Sequence, residues 1–134
     1  VYGFNQRTEF LVSGILNQIK QTQKVAIRDL NPKRDFVYID DVITLFQKVL
    51  TTDFQSPMIC NVGSGVSFSV EELLDQIKAL ISTPFNIENM NEPRANEIHD
   101  CRADITKAST LFNWNPQFDL KTGLRDLLGK ESLL

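Results

Sequence analysis

Apolar positions along the chain alternate between two spacings. Between Thr8 and Lys20, Phe10, Leu11, Gly14, Ile15 and Ile19 recur at helical intervals, which predicts an amphipathic helix. Val25-Ala26-Ile27 follows as a short apolar run that reads as a strand, and Asn31-Pro32 marks a turn. Phe36 to Ile39 is aromatic and β-branched and should be extended. Asp40 then offers an N-cap to a helix over Val42 to Leu50, with Val42, Leu45, Phe46 and Val49 on one face. Asp40-Asp41 is better explained as a cap followed by a favourable N-terminal charge than as a catalytic carboxylate pair.

Met58 to Val62 reads as a buried strand that ends in the tight turn Gly63-Ser64-Gly65. Ser69-Val70-Glu71-Glu72 is a capping box, and the helix behind it should run to about Ile81 with Leu73, Leu74 and Ile77 inward. Phe85 to Glu88 is a weak strand, and Asn89 to Asn96 a polar loop around Pro93. Asp104 caps a short helix ending near Phe112, which Trp114-Asn115-Pro116 stops. Leu120 to Leu128 completes the pattern, closed by Gly129. Strands alternating with helices predict an α/β chain with short strands and about four to five helices.

Composition narrows the function classes. With 134 residues, 42% hydrophobic and 23% charged, the chain matches a globular domain or part of one, which excludes a disordered or fibrous protein. A net charge of −3 disfavours a nucleic-acid or anionic-membrane surface, and no run reaches the ~18 apolar residues of a membrane span. The only cysteines are Cys60 and Cys101, too few for a disulfide scaffold and suited to a reducing, cytoplasmic setting. His99 and Cys101 lack paired spacing with a further ligand, so no metal site is expected. The chain starts at Val1 rather than Met, which suggests a piece of a longer protein.

Seven segments in order carry a family resemblance. They are Val1-Tyr2-Gly3, Arg34 to Val42 (RDFVYIDDV), Asn61 to Gly65 (NVGSG), Ser69 to Leu73, Pro93-Arg94 through Glu97, Ala103 to Ala108 (ADITKA) and Asn113 to Pro116 (NWNP). In this order they resemble the C-terminal half of the NAD-dependent epimerase/dehydratase family, the extended short-chain dehydrogenases acting on nucleotide sugars. The resemblance implies that residues 1–134 form the substrate-binding portion of an extended Rossmann-type fold. The NAD-binding portion, with its glycine-rich fingerprint and Tyr-x-x-x-Lys pair, is absent from this chain: four residues after Tyr2 stands Gln6, and four after Tyr38 stands Val42. Gly63-Ser64-Gly65 is not a dinucleotide fingerprint, since Phe68 occupies its third glycine position.

The resemblance also implies the site. Arg34 stands at the family arginine that reaches the substrate diphosphate, where a planar guanidinium can give two parallel hydrogen bonds. The bland alternative is an ion pair with Asp35 or Asp40. Arg94 stands at a second diphosphate arginine, and Glu97 at an acidic position that accepts from ribose hydroxyls. Asn96 replaces the usual glycine between them, and asparagine tolerates the left-handed geometry such a turn needs. Glu9, Phe10 and Leu11 fall where relatives build the base pocket, or, read from periodicity alone, Phe10 and Leu11 belong to the core. Arg28 stands where glycine is usual, as a third phosphate contact or a changed strand end.

The expected partner is a nucleoside-diphosphate sugar, and the longer protein is expected to bind NAD(P) mainly outside this chain and to form a homodimer. No cofactor, and no catalysis, is expected of these residues alone. Without the rest of the protein, the apolar faces of Val42–Leu50 and Met58–Val62 should be exposed and favour self-association. Two alternatives stay open: a reductase of the same family acting on a non-nucleotide carbonyl compound, and a noncatalytic nucleotide-binding module.

Overall fold

Three helices and a parallel strand pair bury the main apolar stripes against one another. The structure, a computed structural model, describes residues 1–53 and 56–134. Its elements are α1 (Leu11–Thr22), β1 (Lys24–Ile27), β2 (Lys33–Asp35), α2 (Ile39–Leu50), β3 (Ser67–Ser69), α3 (Val70–Leu80), β4 (Asn86–Asn89), β5 (Asp100–Cys101), α4 (Thr106–Phe112) and α5 (Leu120–Lys130). β1 and β4 pair in parallel, from Lys24 opposite Asn86 to Ile27 opposite Asn89. A second sheet runs β3-β2-β5: β2 is antiparallel to β3, with Arg34 opposite Phe68, and parallel to β5, with Arg34 opposite Cys101. β2 is thus the central strand of three, and Arg34 its middle residue.

α1, α3 and α5 converge on β1 through Ile15, Ile19, Val25, Leu73, Leu74, Ile77, Leu124 and Leu128, all buried. Tyr2 and Tyr38 close this core; they bridge as parallel neighbours, and their rings tilt against each other at 5.2 Å. A smaller cluster of Leu45, Ala108, Phe112 and Trp114 joins α2 to α4, with the Trp114 indole donating to the Asp41 carbonyl at 3.0 Å. Ser69 forms the anticipated capping box: its hydroxyl accepts from Glu72 N at 3.0 Å, and Glu72 accepts from Ser69 N at 2.7 Å.

Several expectations are corrected. α1 begins at Leu11, and its buried stripe is Val12, Ile15, Leu16 and Ile19, so Phe10 and Leu11 lie off the core face. Phe36 to Ile39 is not a strand; β2 ends at Asp35, and beyond it only Tyr38 bridges, to Tyr2. α2 starts at Ile39 without a side-chain cap, so Asp40 is not its N-cap. Asp41 is buried for a different reason: its carboxylate accepts from Gln117 N at 2.7 Å and Phe118 N at 3.1 Å, fixing the chain after Pro116. Phe46 is 63% exposed rather than inward. α5 runs through Gly129 to Lys130, whose ammonium holds Asp126 one turn back.

Met58 to Val62 has no strand neighbour among the described residues, and Ile59 is 85% exposed. The segment is tethered instead to α4 and the residues before it: Lys107 Nζ donates to the Ile59 carbonyl and Asn61 Nδ2 to the Asp104 carbonyl. Together with Ile43, Phe46 and Leu50 on α2, it leaves large apolar side chains facing solvent.

Candidate substrate cleft

Two chain reversals build the walls of one cleft. The first is the entry to α1. Extended backbone at Phe10 lets Gly14 N donate to its carbonyl at 2.8 Å, and this turns the Phe10 and Leu11 side chains outward, 49% and 37% exposed. The Arg7 guanidinium lies 5.9 Å from the centroid of the Phe10 ring and holds it by a cation–π contact. The second reversal is the loop from β4 to β5. Asn96 takes φ +60°, and Glu97 N donates to the Arg94 carbonyl at 3.3 Å. The left-handed residue that the sequence departure at Asn96 required is therefore present.

Between these walls lies a cavity of about 520 Å³, within the size range of small-molecule sites. Arg34, Arg94, Glu97, Glu9, Phe10 and Leu11 all line it. A neighbouring hollow of about 300 Å³ shares Arg34, Arg94 and Glu97 and adds Cys101.

Arg34 is fixed on three sides. Its Nη1 donates to the carbonyls of Lys33 and Ile98, each at 2.7 Å, and its Nη2 donates to the Glu97 carboxylate. The ion pair is partly screened from solvent, with the Glu97 side chain 13% exposed and that of Arg34 33%. Arg94 is exposed and forms no ion pair among the described residues. Arg28 also lines the cleft and pairs with Glu92 at 3.7 Å. The loop is thus held at one edge by Arg28, whose carbonyl also accepts from Glu92 N at 2.8 Å, and at the other by Arg34.

Asp35 does not pair with Arg34. Its carboxylate accepts from Ser64 N at 2.6 Å, Ser64 Oγ at 2.7 Å, Gly65 N at 2.9 Å and Ala103 N at 3.2 Å. Gly63 is required by this closeness, since a Cβ there would sit 2.6 Å from Asp35 Oδ2 and 2.5 Å from the Ala103 Cβ. The amides of Ser64 and Gly65 already face an internal anion. The loop therefore does not fit the pyrophosphate of a dinucleotide.

Tyr38 does meet a lysine in space, although none stands four residues after it in sequence. Its hydroxyl contacts the Asp126 carboxylate and accepts from Lys130 Nζ at 3.2 Å. Burial, then the Asp126 contact, pushes the hydroxyl up to about 12 against the opposing effect of Lys130. Tyr2 is raised as well, first by burial. The two rings pack against each other, and the Tyr38 hydroxyl bridges Asp126 and Lys130. Among the described residues no three His, Cys, Asp or Glu side chains gather as metal ligands, and Cys60 and Cys101 are free thiols.

The family model described as GDP-mannose 4,6 dehydratase matches residues 2–127. The chain belongs to this family. Its motifs and this match place it in the NAD-dependent epimerase/dehydratase family, and its α/β fold corresponds to the C-terminal portion of that family's Rossmann-type proteins. A putative UDP-glucose 4-epimerase of Methanocaldococcus jannaschii is 34% identical over 108 residues, covering 80% of this chain and 33% of that relative. A CDP-abequose synthase of Salmonella muenchen is 26% identical over 130 residues, 96% of this chain and 44% of the relative. The structure of a UDP-glucuronic acid 4-epimerase from Bacillus cereus, in complex with UDP-glucuronic acid and NAD, superposes with a TM-score of 0.81 at 26% identity. That match covers 97% of this chain and 43% of the epimerase. The chain thus spans between a third and less than half of the length of these family members.

Proposed function

We propose that this chain is the substrate-binding portion of an NAD-dependent nucleotide-sugar epimerase or dehydratase, and that its cleft clamps the nucleoside diphosphate. The observation that carries this reading is convergence. Six residues from two distant stretches and a central strand, all at positions the family motifs mark, line a single cavity. Arg34 and Arg94 supply the two cationic contacts a diphosphate needs, Glu97 a carboxylate able to accept from ribose hydroxyls, and Phe10 and Leu11 an apolar wall for a base with Glu9 at its edge. Fixing the diphosphate at one end lets binding energy far from the reacting carbon hold the sugar in place. The catalytic base and the NAD site belong, in this reading, to the remainder of a longer, dimeric, cytoplasmic protein, so the 134 residues bind without turnover.

The affinity expected of this portion is weak. Two charge-assisted contacts of ~1.5–3 kcal/mol each give about 3–6 kcal/mol. Association itself costs ~4–15 kcal/mol and offsets most or all of this, so these contacts give a Kd no tighter than ~1 mM. The test is an NMR titration of the labelled chain with UDP, GDP, CDP and dTDP, and with their sugars. Shifts centred on Arg34, Arg94 and Phe10 that vanish in Arg34→Ala and Arg94→Ala are the expected result. No shift with any nucleotide overturns the reading. Selective binding of a small carbonyl compound lacking a nucleotide would replace it with the reductase alternative, and micromolar affinity would favour a self-sufficient binding module.

A further inference from the structure

We infer that Arg28 and Glu92 are a base-reading pair, and that the nucleotide this cleft selects is a guanosine diphosphate. This rests on the proposed diphosphate site and names the base that site takes. The cleft has two ends. Arg34, Arg94 and Glu97 are shared with the smaller hollow and mark the phosphate end. Arg28 and Glu92 line the large cavity alone, as Phe10 and Leu11 do, and so belong to the end with the apolar wall. The main chain places the pair side by side. β1 and β4 stay in register to Ile27 and Asn89, and the hydrogen bonding continues beyond them: Met90 N donates to the Ile27 carbonyl and Glu92 N to the Arg28 carbonyl, both at 2.8 Å. A cationic fork and a carboxylate therefore stand on adjacent backbone at one rim of the cleft.

Both side chains keep their hydrogen-bonding capacity. Arg28 Nε lies 3.7 Å from Glu92 Oε2, too far for a hydrogen bond, and among the described residues neither side chain makes another polar contact. Their side chains are 58% and 60% exposed, so neither is committed to the core. Asp29, the neighbouring carboxylate, is already occupied: its Oδ1 accepts from Asn31 N at 3.0 Å and from Asn31 Nδ2 at 2.8 Å. The pair thus offers guanidinium donors beside two carboxylate acceptors. The Watson–Crick edge of guanine presents the complement, the O6 acceptor followed by the N1–H and N2–H donors. Arg28 donates to O6, and Glu92 accepts both N–H groups in bidentate fashion. Uracil and thymine present acceptor, donor, acceptor, which sets their O2 against a carboxylate oxygen. Cytosine and adenine present one amino donor on that edge, which leaves half of the carboxylate unmatched. Guanine is the common base that satisfies both groups, and the carboxylate works against uracil and thymine as well as for guanine.

The test titrates the labelled 134-residue chain with GDP, UDP, CDP and dTDP at matched ionic strength, followed by NMR, with Glu92→Gln, Arg28→Ala and Glu9→Gln as variants. The wild-type chain should bind GDP about 10-fold more tightly than UDP or dTDP, the scale of one hydrogen bond to a charged group at an exposed site. Glu92→Gln replaces one acceptor by a donor that suits uracil O2, so GDP should weaken about 10-fold while UDP strengthens. Arg28→Ala should weaken GDP without strengthening UDP. Both side chains are exposed, so the core amide signals should stay in place in either variant. Four diphosphates of equal affinity, or a preference for UDP, CDP or dTDP, would overturn the base reading and leave the diphosphate site intact. A GDP preference that survives both variants would overturn it too, and its loss in Glu9→Gln instead would pass the role to the carboxylate beside Phe10. If no nucleotide shifts Arg34 or Arg94 in the wild-type chain, the diphosphate site itself is wrong and this role falls with it.

Discussion

Replacing Asp35 with alanine should unfasten the floor of the cleft. The Asp35 carboxylate is the acceptor for three backbone amides and one hydroxyl, drawn from two segments that follow it by 29 and 68 residues. It lies between Arg34 and the loop that connects to β3, in a half-buried position. Hydrogen bonds to a charged acceptor contribute ~1.5–3 kcal/mol each, but partial exposure lets water reach some of the freed amides. Counting about 1 kcal/mol for each of the three amides gives a loss of about 3 kcal/mol. That is a large fraction of the ~5–15 kcal/mol that holds a domain folded. With a urea slope of ~2 kcal/mol/M, the unfolding midpoint should fall by about 1.5 M. Asp35→Asn keeps one acceptor oxygen and should lose about half as much. Hydrogen exchange at Ser64, Gly65 and Ala103 should quicken ahead of the core amides of α3, because the lost bonds are local. A loss below ~1 kcal/mol in Asp35→Ala, with those three amides still protected, would refute the assignment of Asp35 as the internal anion of this loop.

Two further outcomes follow from the surface and from the tyrosines. Ile43, Phe46, Leu50 and Ile59 are 46%, 63%, 85% and 85% exposed, so the chain should self-associate; Phe46→Lys with Leu50→Glu should shift it toward monomer in sedimentation, and a wild-type chain that stays monomeric at high concentration contradicts this. Tyr2 and Tyr38 are the only tyrosines, and both hydroxyls are raised in the fold, Tyr38 to about 12. A raised acid binds its proton more tightly when folded, so its stabilisation is complete below the ordinary tyrosine value of ~10 and is lost as pH climbs from there toward 12. Tyrosinate absorbance should therefore rise together with unfolding, and a separate ionisation near ~10 in the folded chain would show that the hydroxyls are not held as described.

The reading of the sequence succeeds where a residue's surroundings are local and fails where they are supplied from far along the chain. The capping box at Ser69 needs only four consecutive residues, and the helical stripes of α3 and α5 need only their own spacing; both are visible without a fold. Phe10 and Leu11 show the limit of spacing. They fall within the apolar period of α1, yet they precede its core-facing turn, and the backbone at Phe10 turns both toward the cleft. Asp41 looks like a first-turn charge because its partners, the amides of Gln117 and Phe118, lie 76 and 77 residues away.

Met58 to Val62 carries the pattern of a buried strand and is exposed for a similar reason. An apolar run states what a segment requires and does not say whether the surface that would meet the requirement is among the residues described. The Arg34–Glu97 pair is the sharpest instance. Motifs assigned the two residues separate roles on a ligand, one for a diphosphate and one for a ribose. The parallel pairing of β2 with β5 sets them against each other across 63 positions.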